Sequence, residues 1–337
     1  MTNIISEKVW NIKVQPAQRR ERIDKYLANC VENASRNRIQ QLIENNCVKV
    51  NGNLIDKNYK VLPNDEIEIR IPITPRPENP EPENIPIEII YEDDFLAIVN
   101  KPAGMVVHPA FGNYTGTLVN ALLYHLSDVE NEEFTDKSRP GIVHRIDKDT
   151  SGILLIAKDP DIHHKLAIQF AHHTIEREYW AIAWGIFKDK EGTIIKNITR
   201  SKKDRKIFTT TDNPNEGKHA VTHYKVIEEF DFASLLKLKL ETGRTHQIRV
   251  HLNSINHPIF GDETYNGRKI HYGADLPKMK NRVDNLLSIM QRQALHAKTL
   301  GFTHPVTNEF MKFESDLPHD FKLLLEELRK TPNVSHS

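Results

Sequence analysis

No apolar run in the 337-residue sequence approaches the roughly 20 residues that a membrane-spanning helix requires. Its first residues, MTNIISEKVW, carry neither the basic end nor the apolar stretch of a secretion signal. A cytoplasmic protein is therefore expected. Cysteine is scarce: Cys30 and Cys47 are too far apart for a CxxC ligand pair and too few for a disulfide framework, which leaves them as small apolar fillers. Neither GxGxxG nor GxxxxGKS/T occurs, so a dinucleotide or ATP has no visible anchor. HExxH is missing too. The seventeen histidines include the pairs His163-His164 and His172-His173, but neighbouring residues point to different sides and an apolar helix stripe already accounts for the segment, so no metal site is expected. Ser151 stands in TSG and not in a GxSxG elbow, which argues against a serine hydrolase. The expected cofactor complement is none.

Net charge is also nil, with 46 Lys/Arg against 46 Asp/Glu, so a polyanionic partner would have to be met by a local surface. The charges are sorted along the chain. Arg19 to Lys49 holds seven basic against four acidic residues, whereas Pro72 to Asp94 holds one against seven.

From Arg20 the pattern reads as a helix (Ile23, Leu27, Val31), a Ser35 cap, a second helix (Ile39, Leu42, Ile43), a strand and an Asn51-Gly52 turn. Arg36 and Arg38 fall in the first turn of the second helix, against the dipole preference for acidic residues there, which makes sense if they meet phosphates. This stretch resembles the S-four-like RNA-binding domain, named after a small-subunit ribosomal protein. Arg22-Ile23-Asp24 with Leu27, Ser35-Arg36, Ile39, Ile43, Val48 to Gly52 and Asp65-Glu66-Ile67 carry the resemblance. The domain is expected over residues 20–71, with residues 1–18 as a short strand or arm. Six prolines between Ile71 and Ile87 favour an extended spacer, placing a linker at 72–86 and a second domain at 87–330.

That second domain reads as strands with a few helices: two strands about an acidic turn after Ile87, a helix over Gly116 to Leu126, another over Asp159 to Ala171, and a strand in REYWAIAWG. Leu236, Leu238 and Leu240 alternate with polar residues at period two. HQIRVHLNSI is predicted as a helix bringing His246, Arg249 and Asn253 to one face. Strands at Leu295 to Phe302 and Phe310 to Glu314 precede a last helix, His319 to Leu328. Strands and helices do not alternate regularly, so the expected class is α+β with a largely antiparallel sheet.

The chemistry centres on Gly141 to Gly152, GIVHRIDKDTSG. Asp147 lies there between Arg145 and Lys148, after a strand-like Ile142-Val143 and before a Thr-Ser-Gly turn and a second apolar run, as in an active-site loop held by a scaffold. An exposed turn whose Asp merely caps it would read the same way. A second basic cluster, Lys202, Lys203, Arg205 and Lys206, sits between two strand-like runs, either as a solvated hairpin tip or as a phosphate clamp.

VNKPAGMVVHP (Val99 to Pro109), HRIDKDTSG (His144 to Gly152), TGRTHQIRVH (Thr242 to His251), HPIFGD (His257 to Asp262) and LHAKTLGFTHP (Leu295 to Pro305) together resemble the RluA-type pseudouridine synthases. The S-four-like domain places the chain near the RluD-like branch. Ile146 replaces the usual Leu, a volume-conserving change, and the segment Lys278 to Arg292 has no counterpart in the resemblance. The resemblance implies an isomerase acting on uridines of structured RNA, most of all large-subunit ribosomal RNA, working as a monomer. Asp147 would be the catalytic carboxylate, Arg249 its partner, Tyr179 the residue packed on the target base and able to help move its proton, and Arg145 the filler of the gap left by a flipped uridine. Arg22, Arg36, Arg38, Lys202, Lys203 and Arg205 would contact RNA. Whether attack falls on sugar or base stays open. A carboxylate nucleophile must be ionised in a site that excludes water, which a neighbouring guanidinium favours, and a base within structured RNA must be extruded to be reached. An isomerisation also needs no redox cofactor, metal or second substrate. Two rivals are a non-catalytic ribosome-assembly factor, which would have no reason to keep Asp147, Tyr179 and Arg249 together, and a metal-dependent hydrolase acting on RNA.

Overall fold

The computed structural model describes residues 6–31, 36–73, 79–110, 113–126, 134, 136, 138–201, 204, 207–272 and 277–330. The chain divides into two units, Met1–Pro77 and Glu78–Ser337, each with its own apolar core.

The first unit runs β1 (Ser6–Lys13), α1 (Ile23–Cys30), α2 (Arg36–Glu44), β2 (Val48–Val50), β3 (Asn53–Leu54) and β4 (Glu66–Ile73). Its strands form one antiparallel sheet in the order β1-β4-β2-β3. The apolar stripes of both helices, Ile23 and Leu27 with Ile39, Leu42 and Ile43, share a core with Val48, Val50, Ile67 and Ile69 of the sheet. Asn51 and Gly52 both take positive φ, 49° and 79°, as a two-residue hairpin turn with right-handed strand twist demands. β1 comes from the segment ahead of Arg20, so the sheet begins earlier in the chain than the expected domain start. Ser35, the expected cap of α2, lies outside the described residues.

The second unit continues β5 (Glu88–Glu92), β6 (Leu96–Lys101), α3 (Leu118–His125), β7 (Ser151–Ala157), α4 (Pro160–Ala171), β8 (Glu176–Trp184), β9 (Glu191–Arg200), β10 (Phe208–Thr211), β11 (Lys218–Glu229), β12 (Ala233–Leu240), α5 (Gln247–Ser254), α6 (Pro277–Ile289), β13 (Leu295–Thr303), β14 (Phe310–Glu314) and α7 (His319–Arg329). Nine strands follow the order β10-β9-β11-β12-β8-β13-β7-β6-β5, and β14 pairs with β13. Every pairing is antiparallel except β13 with β7, where His296 and Ala297 run alongside Ser151 and Gly152. This is the α+β, largely antiparallel class expected from the irregular alternation of elements.

Local chemistry explains the element ends that frame the site. Asp159 caps α4 by accepting from the N–H groups of Asp161 and Ile162, with Pro160 at the first helical position where its missing N–H costs nothing. β7 is buried at every position, which is why SGILLIA reads as a continuous apolar run and not as an alternating one. Trp184 sits at the end of β8 against Phe232 and Phe260, with its indole N–H donating to the Gly267 carbonyl.

Two stretches differ from their expected form. Ile142 and Val143 make no strand: Ile142 forms only an isolated bridge to Ile156, and Gly141 turns at φ +71° with its Cα pressed on Ala157, where a Cβ would come within 2.5 Å of the carbonyl oxygen. The approach to Asp147 is therefore a loop laid against β7. In the proline-rich stretch, residues 81–83 bind the start of α3: Asn120 Nδ2 donates to the Glu81 carbonyl, Glu83 N–H donates to the Asn120 carbonyl, and the Glu83 carboxylate accepts from Gly116 N–H. Proline removes ladder donors, but the residues between the prolines still satisfy their polar groups on this helix.

Candidate active site

Four separated elements bring the candidate residues together. The loop ahead of β7 supplies Arg145, Ile146 and Asp147, β8 supplies Arg177 and Tyr179, the turn after β12 with α5 supplies Gly243 to Arg249, and Leu295 opens β13. These side chains line one cleft.

Arg249 is the hinge of the arrangement. Its Nη1 donates to Asp147 Oδ2 at 3.0 Å, while Nε and Nη2 form a forked pair with Asp262 at 2.7 and 2.9 Å. Exposure falls along this row, from 19% for the Asp147 side chain to 7% for Arg249 and 0% for Asp262. The outer carboxylate thus meets solvent and the inner one does not. Burial alone would pull the Arg249 guanidinium down, but the bonds and charge of Asp262, then the charge of Asp147, more than offset this and hold it above its ordinary value. Asp262 is further fixed by the N–H groups of Thr264 and Tyr265. The Arg249 guanidinium also lies over the Tyr265 ring at 4.9 Å.

The turn that delivers Arg249 is a closed network. Gln247 Oε1 accepts from the Thr242 hydroxyl and from Arg244 N–H, and its Nε2 donates to the Val221 carbonyl and the Thr222 hydroxyl. His246 does not belong to the helix, as had been expected from its spacing. It is the residue before α5, held left-handed at φ 55° and ψ 22°, a conformation that costs a non-glycine residue about 1–3 kcal/mol and recurs at functional sites. Its Nδ1 lies 2.8 Å from the Tyr265 hydroxyl and its Nε2 3.9 Å from Asp147 Oδ1. Burial keeps this imidazole below its ordinary pKa, against the pull of Asp147.

The carbonyls that follow Asp147 are held from two directions. Lys101, fully buried at the end of β6, donates to the carbonyls of Pro102, Met105 and Lys148, and Gly104 N–H adds a second bond to Lys148. Burial pushes the Lys101 ammonium down to about 7, opposed by Asp149. Arg292 donates to the Asp149 carbonyl at 2.9 Å and forks onto Asp320 at the start of α7. His144 accepts from Leu155 N–H and stacks on Phe170, and burial pushes its imidazole to about 3, helped by Arg177, so it is a neutral prop and not an acid or base.

Tyr179 is 8% exposed on the cleft wall. Burial raises its phenol, Arg177 opposes the rise and Asp147 adds to it. Arg145 is exposed at the cleft mouth. Arg22 forks onto the buried Asp24 at 3.1 Å through both Nε and Nη2, an interaction internal to the first unit. Arg36 and Arg38 occupy the first turn of α2, with side chains outside the described residues, as are Lys202, Lys203 and Arg205 in the loop joining β9 to β10. Sequence reasoning gave no role to Asp262, Tyr265, Lys101, Arg177 or Arg292. Asp262 and Lys101 lie in the motifs HPIFGD and VNKPAG, the one signal that could have raised them.

Comparison with known proteins places the chain among RNA-modifying isomerases: it belongs to the RNA pseudouridine synthases, in the RluA-type group and its RluD-like branch. Residues 95–254 match the family described as RNA pseudouridylate synthase and residues 21–67 match the S4 domain. An uncharacterized RNA pseudouridine synthase of Chlorobaculum parvum is 48% identical over 97% of this chain and 99% of its own. The ribosomal large subunit pseudouridine synthase D of Zymomonas mobilis is 44% identical over 91% and 93%. Among solved structures, human RNA pseudouridylate synthase domain containing 4 superimposes with a TM-score of 0.55 at 27% identity, covering 73% of this chain and 95% of that one. Among the described residues no helix is long and apolar enough to cross a membrane.

Proposed function

We propose that this protein converts specific uridines of large-subunit ribosomal RNA to pseudouridine, with Asp147 as the nucleophile. The target uridine leaves the RNA stack and enters the cleft, while Arg145 at its mouth fills the vacated place. The Asp147 carboxylate attacks and bonds to the nucleoside, the bond between the sugar and N1 breaks, the base turns, C5 bonds to the sugar carbon, and the bond to Asp147 breaks to return the free carboxylate. The hydrogen lost from C5 is balanced by one gained at N1, so the product is an isomer of the substrate and no redox partner or second substrate enters. Tyr179 packs against the base and assists the proton's removal, and Arg249 keeps the carboxylate ionised and aimed. Recruitment of RNA falls to Arg22, Arg36 and Arg38 of the first unit and to Lys202, Lys203 and Arg205. The choice of ribosomal RNA is supported by relatives whose names specify the ribosomal large subunit. The enzyme is read as a cytoplasmic monomer.

The observation that carries this reading is the division of labour on Asp147. Its Oδ2 accepts from Arg249 at 3.0 Å, while Oδ1 accepts no hydrogen bond among the described residues and lies 3.9 Å from His246 Nε2. One oxygen is oriented and the other is left available to attack. Asp147→Asn should keep the fold and RNA binding while lowering turnover by at least roughly 10⁴-fold. Pseudouridine formation on unmodified large-subunit RNA measures this, and retention of a tenth of the activity would overturn the assignment.

A further inference from the structure

A cation in a cleft normally has an anion beside it, and in this cleft Arg249 has two. Arg177 has none. No carboxylate lies within ion-pair distance of its guanidinium among the described residues, and its buried Nε finds no hydrogen-bond partner. A buried N–H without an acceptor is costly, about 1–3 kcal/mol, and a native structure keeps one where something else supplies the acceptor.

The side chain is nevertheless held in place. It leaves β8 two residues before Tyr179 and lies over the Phe170 ring at 5.5 Å. Its Nη1 is pressed on Gly243, where an added Cβ would sit 3.1 Å away. The guanidinium is thus wedged between an aromatic face of α4 and the glycine of the TGRT turn, beside the residue read as packing on the target base. Such a fixed, unneutralised fork is suited to an anion that arrives with the substrate. An uracil carbonyl would satisfy the orphan donor but not the charge, whereas a phosphodiester satisfies both.

We infer that Arg177 is a substrate-binding residue that receives a backbone phosphate flanking the flipped nucleotide, neutralising it inside the cleft. The inference rests on the proposed function for the choice of RNA. It makes Gly243 part of the same site, because a Cβ there would push the guanidinium that takes the phosphate aside by a few tenths of an ångström.

The test is equilibrium binding of unmodified large-subunit ribosomal RNA, transcribed in vitro, as a function of salt. It is done with full-length protein carrying Asp147→Asn, so that chemistry does not enter the readout. Adding Arg177→Met should weaken binding about tenfold and flatten the log–log salt slope by about 0.7, the signature of one lost phosphate contact on unpaired RNA. Arg177→Lys should restore the slope. Gly243→Ala, whose backbone is not in the left-handed region, moves the guanidinium without removing it and should weaken binding in the same sense. This second variant decides the matter if Arg177→Met fails to fold. An unchanged slope in a folded Arg177→Met protein would overturn the inference, as would weaker binding with the slope preserved, which would indicate a neutral acceptor. Absence of pseudouridine formation by the unmutated enzyme would instead count against the proposed function and leave the slope comparison standing.

Discussion

Asp262→Asn isolates the buried end of the Asp–Arg–Asp row. Four N–H groups converge on the Asp262 carboxylate: Arg249 Nη2, Thr264 N and Tyr265 N on Oδ1, and Arg249 Nε on Oδ2. An asparagine has one oxygen to offer. The less damaging orientation keeps its oxygen on the three donors and turns its NH2 toward Arg249 Nε, replacing a 2.7 Å charge-assisted bond with two donors facing each other. A lost bond to a charged group costs about 1.5–3 kcal/mol, and leaving a buried charge with one partner removed costs about 3–5 kcal/mol. Full burial of the site favours the upper range. At roughly 2–4 °C per kcal/mol for a unit of this size, the melting transition should fall by about 6–20 °C. Below that transition, kcat should still fall roughly 100-fold, because Arg249 has lost the anchor that aims it at Asp147 and a misplacement of about 1 Å is worth that much. Scanning calorimetry and single-turnover pseudouridine formation measure the two effects. A melting point within about 2 °C of the parent, or an unchanged rate, would show that Asp262 does not orient Arg249.

His251 and His296, both fully buried, have imidazoles pushed down to about 4, first by burial. Their folded pKa lies below the unfolded value of about 6.5, so at these two sites the unfolded chain takes up protons that the folded chain refuses, and the pair alone should cost up to roughly 2.7 kcal/mol of stability per pH unit as pH falls from about 6.5 to 4, with His144 adding in the same sense. Urea titrations at pH 7, 6 and 5 check the slope, and a flat profile would mean that neither ring is held neutral. Removing the first unit, which has its own core, should raise KM for long structured RNA with the single-turnover rate nearly unchanged, because uniform binding is lost without transition-state contacts. A truncated enzyme that binds RNA normally but no longer reacts would refute recruitment as the unit's role.

How far the sequence could be read depended on the range of the interaction concerned. Period two in β12 and the apolar stripe of α4 are local signals, and both elements lie where they were expected. Asp147, Tyr179 and Arg249 were singled out through the family resemblance, Asp147 and Arg249 within its motifs and Tyr179 in the strand-like REYWAIAWG. Their meeting is a tertiary fact, set by sheet order. His246 was misplaced because helical spacing says nothing about a left-handed residue at the helix start. Ile142 and Val143 resemble a strand in composition, but Gly141 presses the backbone on Ala157 and ends any ladder. Asp262 was marked only by its place in HPIFGD and Arg292 by nothing, since a carboxylate that steadies an arginine and an arginine that holds a carbonyl differ from surface charges only in what lies around them.

The parallel pairing of β13 with β7 bears on how the enzyme comes into being at the ribosome. The strand that follows Asp147 is flanked on one side by residues 296 and 297, and the carbonyl of Asp149 is held by Arg292, itself forked onto Asp320. These supports are synthesised about 150 residues after the nucleophile. At about 5–20 residues per second, Asp147 emerges roughly 7–30 s before the strand and arginine that hold its loop. The growing chain would thus carry an exposed carboxylate with no fixed partner, and competence would arrive only once residues 292–320 have left the exit tunnel.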